Sequence, residues 1–113
     1  MANNNWVVVD VESDGPSPCK FSMVCFAAVI VSQPPFKSFY GQTKPISKLW
    51  LPDALAISGF SRQEHEKFDE PQKVMEEFRD WLKANIQGNP VFVSDNPAYR
   101  WMVSSQTPSE TSA

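Results

Sequence analysis

Residues 6–15, WVVVDVESDG, carry two acids at the end of an apolar run, and their spacing admits chemistry. Val7, Val8 and Val9 are β-branched and consecutive, which predicts a strand buried on both faces. Asp10 and Glu12 follow two apart, so in an extended chain their side chains leave the same face. Two carboxylates held together repel unless a positive charge lies between them, and the occupant is a metal ion, a basic side chain or only water. Hard carboxylate oxygens with no His or Cys beside them in sequence suit Mg²⁺ or Mn²⁺ better than zinc. The plainer alternative is a solvated strand end, because most charge pairs are surface features. Position argues against it. The preceding run is too apolar for an edge strand, Gly15 frees the backbone beside the pair, and open α/β sheets bind ligands at the carboxyl ends of their strands. An Asp-x-Asp phosphatase motif is a rival, but the order here is Asp-Val-Glu-Ser-Asp.

The acids need a frame, and 113 residues allow one domain. Gly15, Pro16 and Pro18 signal a turn. KFSMVCFAAVIV (20–31) then reads as a central strand, QPP breaks it, and FKSFYGQTKP (36–45) alternates as a third. Short connections make these three an antiparallel meander. KLWLPDALAIS (48–58) suits a short helix, with Pro52 at its first position and Gly59 just past its end. DEPQKVMEEFRDWLKANIQG (69–88) is the clearest element, with Asp69 as the expected N-cap and Gly88 as the expected C-terminal cap. Val74, Phe78, Leu82 and Ile86 recur every four residues, and Met75 and Trp81 widen that apolar face. NPVFVSDN (89–96) follows as a short strand parallel to the first across a helical crossover. The expected fold class is α/β: a mixed sheet of a three-strand meander plus one parallel strand. One side of it is left uncovered, so the fold reads as incomplete. The domain is expected to span 1–103, and SSQTPSETSA at the end has the composition of a solvated tail, placed at 104–113.

Net charge is −3 and the pI about 5.0, which argues against an electrostatic grip on nucleic acid. A carboxylate-bound divalent ion can supply the missing positive charge locally, so a nucleic-acid enzyme stays possible. Lys and Arg are scattered, and no run reaches membrane length, so no membrane partner is expected. MANNN has no basic start, and the cytoplasm is the expected location. Cys19 and Cys25 are six apart, neither a redox pair nor a zinc knuckle, and read as reduced thiols. His65 lies in RQEHEKF, which reads as a polar loop, and is expected to be exposed.

Taken in order, VVVDVESDGPSP, FSMVCFAAVIV, FYGQTKPIS, ALAISGFSR, VMEEFRDWL and VFVSDNPAY resemble a DEDD-type 3′–5′ exonuclease of the ribonuclease-H-like fold. The resemblance runs from residue 6 to about 99 and spans every element. It implies that Asp10 and Glu12 bind Mg²⁺ or Mn²⁺ and serve a two-metal hydrolysis of phosphodiesters. It also implies that Gly59, Phe60 and Ser61 border a bound 3′ end, although packing of a surface turn accounts for them equally well. The partner implied is the 3′ end of single-stranded DNA or RNA. In that family the second motif resembles Ser-Asp-Asn-Pro-Ala-aromatic-Asp-Trp, whereas this chain has SDNPAYRW, so Arg100 stands where a third carboxylate is expected. The family's third motif, a His and an Asp, is missing from the sequence. Asp95 does not match a metal-ligand position, and a cap or turn hydrogen bond is its expected role.

Three readings follow: a working exonuclease, a shortened member with a defective catalytic set, or an unrelated α/β module whose acids are structural. The altered second motif and the Ser/Thr tail favour the second, a C-terminally truncated chain with weak activity or none. Arg100 either pairs with Asp10 or Glu12 in place of a metal, or points to solvent. An uncovered sheet face would also promote association, so a homodimer is expected.

Overall fold

The computed structural model describes residues 5–18, 20–31 and 35–94. The meander forms as its residue pattern requires. Strand β1 (Trp6–Ser13) pairs antiparallel with β2 (Met23–Ile30), and β2 pairs antiparallel with β3 (Lys37–Gln42). Helix α1 (Pro52–Ser58) starts at Pro52 and closes at Gly59, whose φ of 84° is the left-handed conformation that glycine adopts without strain. Helix α2 (Arg62–His65) and helix α3 (Pro71–Asn85) follow, and β4 (Val91–Val93) lies parallel to β1. The sheet order is β3-β2-β1-β4, so the acid-bearing strand is central.

Helix α3 covers one face of this sheet. Its Val74, Met75, Phe78 and Leu82 are buried against Val7, Val9 and Val11 of β1, Phe26 and Ala28 of β2, and Phe92 of β4. Phe78 sits at the middle of an aromatic cluster, with ring centroids 5.1 Å from Phe26, 5.2 Å from Phe39 and 6.2 Å from Phe92. A smaller cluster of Val24, Cys25 and Leu55 lies under α1, packed by Phe60 and Phe68.

Three sequence expectations are corrected. Two-sided burial belongs to β2 and not to β1, whose residues alternate: Val7, Val9 and Val11 are buried, while Trp6 is 57% and Val8 43% exposed. The reason is coverage, since α1 shields only the Val24–Cys25 end of the second face. Asp69 is not the cap of α3. That position is Glu70, with no side-chain cap, and the Asp69 carbonyl is already engaged by the Lys44 amide at 2.9 Å. Gly88 does turn left-handed, but the helix ends at Ile86, where an extended backbone lets the side chain pack on the core. The expected domain boundary at 103 and the tail 104–113 lie outside the described residues.

Candidate metal and nucleic-acid site

Asp10 and Glu12 stand on one face of β1, opposite Ala27 and Cys25 of β2. Asp10 is exposed and Glu12 half-buried. Both charges reach the Cys25 thiol. Burial pushes that thiol up from its ordinary range, Glu12 and Asp10 push it further, and a hydrogen bond with Tyr40 opposes them. Cys25 therefore stays a neutral thiol, a poor ligand for a hard cation. Immediately past Glu12 the ladder slips: Glu12 pairs with Cys25 but Ser13 with Met23, so Val24 is passed over in a bulge. Bulges turn the strand and redirect its side chains, and this one lies opposite the second acid. Its carbonyls are both taken up: the Thr43 amide donates to Val24 at 3.0 Å and the Thr43 hydroxyl to Met23 at 2.9 Å.

Beside Glu12 opens an apolar cleft of about 480 Å³, walled by Gly15, Pro16, Leu51, Ala54 and Ile57. Gly15 permits close packing there, because a Cβ at that position would fall 2.1 Å from the Phe21 ring. Leu51 and Ile57 are exposed apolar side chains at the rim. Asp10 and Glu12 offer two carboxylates as the oxygen donors on this face of β1. Among the described residues no group of three or more His, Cys, Asp or Glu is placed to hold a metal. Such a pair fits Mg²⁺ or Mn²⁺ with most of the coordination shell left to water.

Behind the acids lies a buried polar network. Asp14 is completely buried, and its carboxylate accepts from the Ser22 amide at 2.6 Å and from Arg62 Nη1 at 2.8 Å. Arg62 also donates through Nη2 to the Ser47 carbonyl at 3.0 Å, and its guanidinium lies 5.3 Å from the centre of the Trp50 ring. His65, expected to be exposed, is completely buried. Its Nε2 lies 3.2 Å from the Met23 carbonyl and its Nδ1 3.3 Å from Arg62 Nη1. The carbonyl requires a donor and the guanidinium an acceptor, so the ring is neutral with its proton on Nε2. Burial lowers the His65 pKa, and nearby Arg62 adds to the effect, against contacts to Met23, Asp14 and Thr43 that favour the charged ring. The polar composition of RQEHEKF suggested a loop, but Ser61 and Glu64 form a reciprocal capping box that starts α2. The S-x-x-E spacing was the sequence signal for that helix.

Of the residues implied to border a 3′ end, Gly59 is the αL cap of α1. Phe60 packs edge-on against Phe68 with centroids 5.0 Å apart, and Ser61 accepts from the Glu64 amide at 3.1 Å. The walls of the cleft beside Glu12 come from elsewhere, the Gly15–Pro16 turn, Leu51 and α1. Asp95 and Arg100 lie outside the described residues, so the pairing of Arg100 with the acids does too.

No family model matches the chain. Its mixed four-strand sheet with flanking helices is the ribonuclease-H-like fold of the DEDD-type 3′–5′ exonucleases, as the resemblance implied. Cell-death related nuclease 4 superposes with a TM-score of 0.67 at 19% identity, over 91% of this chain and 38% of that one. Escherichia coli exonuclease I in complex with a dT13 oligonucleotide gives 0.59 at 19% identity, over 79% of this chain and 20% of that one. Among curated proteins, the 3′–5′ DNA exonuclease Cap18 of Escherichia coli is 33% identical over 99 residues, which make up 85% of this chain. The chain spans about half the length of that relative, 52%.

Proposed function

We propose that this chain binds one Mg²⁺ or Mn²⁺ through Asp10 and Glu12 and receives the 3′ end of single-stranded DNA or RNA in the adjoining cleft, with weak phosphodiester hydrolysis or none. The observation that carries the reading is the placement of two same-face carboxylates on a central strand in an exonuclease fold, the second of them, Glu12, lining an apolar cleft. An apolar wall suits a terminal nucleoside, and a carboxylate-held cation offsets the charge of its phosphate in a protein of net charge −3. Divalent ions in such sites supply a Lewis acid and an activated water. Gly59, Phe60 and Ser61, at the α1–α2 junction, would act by holding the cleft-forming helix in place. The cytoplasm is the proposed location; no helix among the described residues is long and apolar enough to cross a membrane.

Weak or absent turnover rests on the sequence. Arg100 stands where the resemblance implies a third carboxylate. His65 is buried and committed to Met23 and Arg62, so it cannot serve as a general base. Calorimetric titration of Mn²⁺ into the wild type and into Asp10→Ala tests the site: weak binding that the substitution removes is expected, and identical traces would refute it. A 3′-labelled single strand should bind more tightly with Mn²⁺ present and should not be shortened faster than in a metal-only blank. Arg100→Asp alone should leave that unchanged. Steady removal of 3′ nucleotides that Asp10→Ala abolishes would instead make this chain an active enzyme.

A further inference from the structure

The buried Asp14–Arg62 pair lies two residues past Glu12 and is bonded to each segment that frames the acids. The Asp14 amide donates to the Ser22 carbonyl at 2.9 Å, and its own carbonyl accepts from the Leu51 amide at 2.8 Å. Through its backbone the exit of β1 is thus tied both to the segment entering β2 and to the cleft wall. The Asp14 carboxylate repeats the first tie at the Ser22 amide and recruits Arg62. Arg62 then extends to the Ser47 carbonyl and the Trp50 ring, in the segment that leads into Leu51. Three residues along α2, His65 bonds the Met23 carbonyl, which flanks the bulge opposite Glu12.

A pair buried this deeply is poor value as a pure stabiliser, since desolvation offsets most of the attraction and an apolar replacement often serves as well. Charged forks do fix orientation, because Arg meets a carboxylate and a carbonyl only in a planar geometry. We propose that Asp14, Arg62 and His65 are positioning residues: they aim Glu12 and hold Leu51 over the cleft, and so set metal affinity without touching the ion. The proposal deepens the reading of Asp10 and Glu12 as a metal site and rests on it.

Partners behind metal ligands typically govern affinity by about 10–100-fold. The test uses the full chain at pH 7.5, with circular dichroism fixing a temperature at which each variant is folded. Arg62→Lys keeps a cation for Asp14 but cannot span to Ser47, and should weaken Mn²⁺ binding about tenfold. His65→Leu should weaken it similarly, whereas His65→Gln, whose amide can donate to the Met23 carbonyl, should restore most of the affinity. Leu82→Ala removes a buried side chain of α3, remote from these bonds, and serves as the control for destabilisation alone; its folded form should bind as the wild type does. If Arg62→Lys and His65→Leu fold and bind Mn²⁺ as tightly as the wild type, the pair and the imidazole are structural only and the proposal is overturned. If the wild type and Asp10→Ala titrate alike, the metal site itself falls, and the clamp with it.

Discussion

Replacing Arg62 with Ala should cost this chain about 3–5 kcal/mol, because it leaves the Asp14 carboxylate buried and without its cation. The carboxylate is completely buried and would keep one donor, the Ser22 amide at 2.6 Å. The Arg62 side chain is itself 13% exposed, so water entering the vacated space would solvate Asp14 in part, which favours the lower end of the range. Against that relief stand further losses, among them the hydrogen bond to Ser47, about 1 kcal/mol, the stacking over Trp50, about 0.5–1 kcal/mol, and the contact with His65 Nδ1. With a typical total stability of about 5–15 kcal/mol, the variant should be marginal. Urea unfolding followed by tryptophan fluorescence and far-ultraviolet dichroism reads the loss directly. At a slope of about 1.5 kcal/mol per molar urea, 3 kcal/mol moves the midpoint down by about 2 M. The double variant Asp14→Ala/Arg62→Ala carries no stranded charge and should be more stable than Arg62→Ala alone. A loss below about 1 kcal/mol for Arg62→Ala, or a double variant whose cost equals the two single costs added, would show that the pair is not what holds this corner together.

The buried imidazole predicts a pH dependence. His65 titrates below its ordinary value of 6.5, so folding favours its neutral form; its contribution is complete above about pH 6.5 and is lost as pH falls from there through the folded-state value. Urea midpoints of the wild type should fall between pH 7 and 5 more steeply than those of His65→Gln, and parallel curves would refute the assignment. The open sheet face predicts association: Trp6, Val8, Val91 and Val93 are exposed neighbours in register across β1 and β4. The chain should sediment as a concentration-dependent dimer, and Val8→Lys with Val93→Lys should shift it to monomer. A sharp, concentration-independent unfolding transition from a wild-type monomer would count against it.

The features legible in the sequence were those encoded by neighbours. Two-residue spacing placed Asp10 and Glu12 on one strand face, four-residue spacing gave the buried stripe of α3, and Pro52 with Gly59 bracketed α1. Sheet order followed from connection lengths, since short links give an antiparallel meander and a helix gives a parallel return. Burial was less legible, because it depends on which elements lie above a face. The run Val7–Val9 is as apolar as any buried strand, yet Val8 is 43% exposed where coverage stops.

The network behind the acids was missed for a related reason. Arg62 and Asp14 are 48 residues apart, and no local pattern links an acid after a strand to a cation in a polar stretch. A lone histidine among charges is ordinarily solvated, because burying it unpaired is costly. Here the cost is met by two partners: the Met23 carbonyl at the bulge and, three residues back on the same helix, the Arg62 fork already held by Asp14. A reading that took Ser61-x-x-Glu64 as a capping box would have made residues 62–65 helical and set Arg62 and His65 three apart on one face. That face must then lie against something, and an arginine turned inward needs an acid. Asp14, just beyond Asp10 and Glu12 and followed by the turn at Gly15, meets that requirement. The polar stretch most easily dismissed as loop is therefore the one bonded to the frame of the site.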